Sequence, residues 1–160
     1  MKKQWIKFLS VLLLFVISSL NVFSQIDAKS KTVLNDFILG YDNTKSLIKK
    51  GVDINPVNIT EYEDVLIIRL NEYSYGKDVV LVFVDNSLYS VRYYVSTENQ
   101  YQRYKKKLYK TYNVLHYQGE YSWFNKHITI EYDMGGDNEL ESFVHYDTKL
   151  LEKYPQYKDF

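Results

Sequence analysis

The 160-residue chain sets 20 basic residues against 20 acidic ones and contains no cysteine. That composition excludes a disulfide framework, a thiolate zinc site, a cysteine nucleophile and a lipid carried on a lipobox cysteine, and its even charge argues against nucleic acid as a partner. All 17 tyrosines lie beyond residue 24, and a large ring with a polar tip suits half-buried strands and contact surfaces alike.

The chain begins "MKKQWIKFLSVLLLFVISSLNVFSQ": Lys2, Lys3 and Lys7 precede an apolar run from Phe8 to Leu20, and Val22 and Ser24 stand where a signal peptidase reads. This is the layout of a secretory leader, with a run short against the roughly 20 apolar residues of a spanning helix. Residues 1–24 are therefore expected to be removed, which places the protein in the periplasm or outside the cell. Residues 25–160 are expected to form one domain with no membrane span.

"FILGYDNTKSLIKKG" reads as an extended Phe37 to Leu39, a turn at Gly40 and a short helix capped by Asp42 or Asn43, with Leu47 and Ile48 inward and Gly51 at its end. Pro56 then breaks the chain. "VLIIRL" (65–70) is a predicted strand, and "VVLVFVDNSLYSVRYYVS" a hairpin bent at Asp85 and Asn86. On its return arm Tyr89, Val91 and Tyr93 share one face and Ser90, Arg92 and Tyr94 the other. The pattern then repeats. Thr97 and Gln100 have capping-box spacing, Tyr101, Tyr104, Leu108 and Tyr112 recur at helical intervals through about Thr111, and "EYSWFN", "HITIEYD" and "ELESFVHYD" follow as three strands. The predicted fold is α+β. Two α-β-β-β halves, about 36–96 and 97–147, form an antiparallel sheet with two helices on one face, and a tail runs over 148–160. Trp123 and Tyr104 are expected in its core.

The order of "FILGYDNTKSLIKKG", "FVDNSLYSV", a Tyr-rich helix, Trp123 and the alternating "ITIEY" resembles a family of small secreted bacterial proteins of unknown function, with "KTYNVL" here in place of that family's Tyr-Gly-x-Pro turn. The doubled helix-plus-strands order also resembles the topology of secreted β-lactamase inhibitory proteins. A likeness of topology does not carry function.

In "HITIEYDMGGDNELESFVHYD" (127–147), alternation puts Ile128, Ile130 and Tyr132 on one face of the first strand and His127, Thr129, Glu131 and Asp133 on the other. In the second strand Leu140, Ser142, Val144 and Tyr146 take the core side, and Glu141, Phe143, His145 and Asp147 the open side. If the apolar faces coincide and Asp133 pairs with Glu139, His127 stands opposite His145 and Glu131 opposite Glu141. Two facing histidines could share a divalent ion, but a closed zinc site wants four ligands. Asp133, Asp137, Asn138 and Glu139 lack EF-hand spacing, and Gly135 and Gly136 are explained by a turn. The second helix carries Arg103, Lys105, Lys106, Lys107 and Lys110, a solvated face that could also meet anionic lipid or an acidic partner.

No Gly-x-Ser-x-Gly elbow, His-Glu-x-x-His helix, phosphate loop or Rossmann glycine pattern is present. The sequence reads as a non-catalytic exported protein that needs no cofactor and binds another macromolecule, expected to be a protein, as an inhibitor, immunity factor or envelope accessory. Its expected contact face is an open sheet surface bearing Arg92, Tyr94, His127, Thr129, Glu131, Phe143 and His145. The alternative is a ligand or metal carrier built on His127 and His145, and the third reading a small hydrolase without a recognised motif.

Overall fold

The computed structural model describes residues 30–33, 36–74, 77–112, 116–119, 121–135 and 140–160. The expected leader and residues 136–139, Gly136 among them, lie outside them.

A two-stranded hairpin, β1 (Thr32–Val33) and β2 (Phe37–Ile38), leads into helix α1 (Thr44–Lys49). Asn43 caps α1 by accepting from the Ser46 amide at 3.0 Å, and Gly51 closes it at φ +80°. Leu47 is buried as expected, but Ile48 points to solvent. A helix of six residues presents one apolar position per turn to the sheet, and Leu47 fills it.

Then come β3 (Ile59–Glu61), β4 (Val65–Ser74), β5 (Lys77–Val84) and β6 (Ser87–Tyr94). Helix α2 (Glu98–Thr111) opens the second half, followed by β7 (His116–Gly119), β8 (Ser122–Phe124), β9 (Ile128–Asp133) and β10 (Ser142–Asp147). The chain ends in α3 (Thr148–Lys153) and a 3-10 turn, Pro155–Tyr157. Each half thus adds one short strand to the predicted three. All eight strands form one antiparallel sheet in the order β3-β4-β5-β6-β10-β9-β8-β7. The second half repeats the first in reverse, the last strands β6 and β10 meeting at the centre and the short strands β3 and β7 at the edges. Short edge strands limit edge-to-edge association.

Both predicted helices lie on one face. There Leu47, Tyr101, Tyr104 and Leu108 close over Ile68, Leu81, Val91, Trp123, Ile130 and Phe143. Asp85 and Asn86 both adopt positive φ, 49° and 59°, as a two-residue type I′ hairpin requires.

Two faces depart from the alternation. A bulge between Val82 and Phe83 on the β5–β6 ladder moves Tyr89 off the helix face, so it packs with Val80, Val82 and Val84 on the second face while Val91 and Tyr93 stay beneath the helices. Strand β10 is turned over entirely. Asp133 pairs with Ser142 rather than Glu139, which sets Phe143 opposite Tyr132 and His145 opposite Ile130. Phe143 and His145 therefore lie under the helices, and Val144 and Tyr146 on the second face. The physical reason is that β10 is central and buried on both sides. Its second face is covered by Leu150, Leu151, Tyr154 and Tyr157 from the tail, so apolar residues of either parity find a core.

Candidate functional site: a groove on the second sheet face

The tail covers only one end of the second face. Tyr89 OH donates to the Tyr154 carbonyl at 3.1 Å, Tyr146 OH to the Lys158 carbonyl at 3.2 Å and Tyr157 OH to Asp64 at 3.3 Å, with Tyr154 OH bonded to Asp85. Phe160 ends against the Tyr62 ring, centroids 5.3 Å apart. Beyond this strap the sheet is open.

Register fixes what the open part displays. One cross-strand row runs Arg69, Val80, Arg92, Val144, Glu131, and the next Ile67, Val82, Ser90, Tyr146, Thr129. Arg69 and Arg92 stand two strands apart, about 10 Å at the usual strand spacing, with Val80 between them. The resulting groove has a volume of about 910 Å³. Its floor is Ile67, Val80 and Val144, and its rim carries Arg69, Tyr94, Arg92 and Glu131.

The charges are partly paired. Arg92 Nη1 donates to Asp133 Oδ2 at 2.7 Å and to Ser142 Oγ at 3.1 Å, and Lys158 Nζ meets Glu131 Oε1 at 2.8 Å. Burial pushes the Asp133 carboxyl up. The Gly135 amide, 3.0 Å from Oδ1, and the Arg92 guanidinium outweigh it and hold the carboxyl below its ordinary range. Arg69 is exposed and makes no ion pair among the described residues.

Of the seven residues expected on the contact face, Arg92, Tyr94 and Glu131 line this groove. Thr129 shares the face but is buried at the foot of α3, its Oγ1 3.2 Å from that of Thr148. Phe143 and His145 belong to the opposite core. His127 is half-buried in the turn before β9, its amide donating to Asn125 Oδ1 at 2.8 Å. Because Ile130 and not His127 stands opposite His145, the two histidines do not form the ligand pair the carrier reading used. Among the described residues, no group of three or more His, Cys, Asp and Glu side chains could hold a metal ion. Sequence reasoning missed Arg69 and the tail residues Lys158 and Phe160. Arg69 had a signal: it is the one charge inside the apolar run "VLIIRL".

His145 is sealed beneath α2, with Nε2 3.3 Å from Tyr104 OH and Nδ1 without a hydrogen-bond partner among the described residues. Burial pushes its pKa down to about 3, and the nearby Lys107 charge adds to the effect against an opposing contribution from the Val91 backbone. Folded His145 stays neutral where an unfolded histidine takes a proton below about 6.5. Stability is therefore full above pH 6.5 and is lost as pH falls toward 3, with a slope reaching about 1.4 kcal/mol per pH unit. Urea unfolding from pH 6.5 down to 5 is expected to show this slope and His145→Gln to flatten it. Equal slopes would mean that another group titrates.

The chain matches no protein-family model and no curated protein. No helix among the described residues is long and apolar enough to cross a membrane.

Proposed function

We propose that the protein is a non-catalytic exported binding protein that takes a partner protein into the groove on its second sheet face, as an inhibitor, immunity factor or envelope accessory. One observation carries this reading: beside the tail a groove of about 910 Å³ stays open over Ile67, Val80 and Val144, the two valines buried at its bottom, beneath a rim that includes Arg69, Arg92 and Tyr94. Tyrosine and arginine around a desolvatable apolar centre are the composition that concentrates binding energy at protein contacts. The opposite face is covered by helices α1 and α2. Export, supported by the amino-terminal pattern, places the partner in the envelope or outside the cell.

The test is affinity for the envelope protein that the immobilised parent captures from its source cell. The Arg69→Glu/Tyr94→Ala variant removes an aromatic anchor and reverses a rim charge that makes no ion pair among the described residues, and should weaken binding by about 100-fold, the scale of one hot spot. Lys106→Glu, on the exposed side of α2, should bind as the parent does. Equal loss in both variants, or loss only in Lys106→Glu, would reject the groove.

A further inference from the structure

A second concavity lies on the other side of the sheet, between α2 and β6, formed by Tyr93 of β6 and Gln100, Arg103, Tyr104 and Lys107 of α2. Its volume is about 280 Å³, just below the usual range of ligand pockets. The apolar part is two tyrosine rings stacked at 4.9 Å with an interplanar angle of 19°. Both residues are buried in the core, so the walls are set by packing and not by side-chain rearrangement.

The polar part is cationic. Arg103 and Lys107 stand one helical turn apart, with Cβ atoms about 5–6 Å from each other, so both can reach one anion. No carboxylate lines this cavity among the described residues, and Arg103 makes no ion pair among them. Gln100 is engaged at the helix start, its Oε1 accepting from the Ser96 amide at 2.9 Å. Below the cavity, Tyr104 is tied to the buried His145 by a long 3.3 Å contact.

We propose that this cavity binds a small carboxylate with an apolar body, the body against Tyr93 and Tyr104 and the carboxylate between Arg103 and Lys107. Guanidinium matches the planar carboxylate through two parallel hydrogen bonds, and the ammonium adds a point charge. Inorganic anions fit less well, because they have no apolar part to set against the accessible edges of the two tyrosines. The site is independent of the groove on the second face, so either assignment can fail alone.

Octanoate is the probe, with octanol as its uncharged counterpart and inorganic phosphate as an anion without an apolar tail. Isothermal titration of the full chain at low salt should show octanoate binding at least about tenfold more tightly than either control, since a hydrogen bond to a charged group contributes at least that much. The ¹⁵N imidazole signal of His145, assigned by its loss in His145→Gln, should shift on adding octanoate because Tyr104 links it to the cavity wall. Arg103→Gln/Lys107→Gln should lose about tenfold or more in octanoate affinity while melting as the parent does. Equal octanoate affinity in parent and double variant, tighter binding of phosphate than of octanoate, or an unmoved His145 signal at millimolar octanoate would each overturn the assignment.

Discussion

Replacing Lys31 by methionine should cost the fold about 3–5 kcal/mol, as breaking a buried ion pair from one side does. Lys31 Nζ lies 2.6 Å from Asp147 Oδ2, with side chains 6% and 1% exposed, across 116 residues of chain. The pair fastens the segment before β1 to the end of the central strand β10. Asp147 has a second duty, since its Oδ1 accepts from the Leu150 amide at 3.0 Å and caps α3. Without Lys31 a carboxylate would remain buried and uncompensated. Asp147→Asn removes that charge, so Lys31→Met/Asp147→Asn should be less destabilised than the sum of its single variants, a coupling that a urea double-mutant cycle measures. Additive losses, or a Lys31→Met cost below about 1 kcal/mol, the range of exposed pairs, would show that the contact holds nothing. Gly40 shares this junction. At φ +73°, an added Cβ would sit 2.5 Å from Asp147 Oδ2, which explains why a residue without a side chain stands there.

Trp123→Ala is expected to cost about 3–5 kcal/mol, the usual loss when a buried large aromatic is truncated. The ring is fully buried under α2, packs against Phe143 at 6.2 Å between centroids, and donates from Nε1 to Tyr109 OH at 3.1 Å. Lys105 Nζ lies over it at 5.7 Å. Trp123→Phe, which keeps most of the apolar contact, should lose markedly less. Far-UV circular dichroism during urea unfolding gives both values, with the m-value unchanged if only the native core has been weakened. A Trp123→Ala protein that unfolds at the parent's midpoint would place the ring outside the core.

Much of the fold was legible from local chemistry. Asn43 and Thr97 announced the helix starts, Asp85-Asn86 the hairpin, and the Tyr101, Tyr104, Leu108 stripe the buried side of α2. These signals are local, and local hydrogen bonding decides them. Strand facing was legible only where one side is wet. In β9, the apolar Ile128 and Ile130 do face the helices. In β10, "SFVHYD" offers four bulky residues in a row, Phe143 to Tyr146, and parity alone could not say which side His145 takes. The deciding fact is long-range. The tail brings its own apolar residues to the second face, and alternation within a strand does not record what covers it. The same fact moved the candidate site, since a groove bounded by Lys158 and Phe160 exists only because residues 148–160 fold back over the sheet.

Hydroxyl-radical footprinting of the protein alone and with its captured partner tests, residue by residue, the proposed seat of a partner protein on the open part of the second face. The expected result is loss of reactivity at Tyr94, Leu140 and Phe160, which line the groove, with Ile48 and Val57, exposed elsewhere, unchanged. Protection of Tyr109 and its neighbours on α2, with Tyr94, Leu140 and Phe160 as reactive as in the free protein, would contradict it.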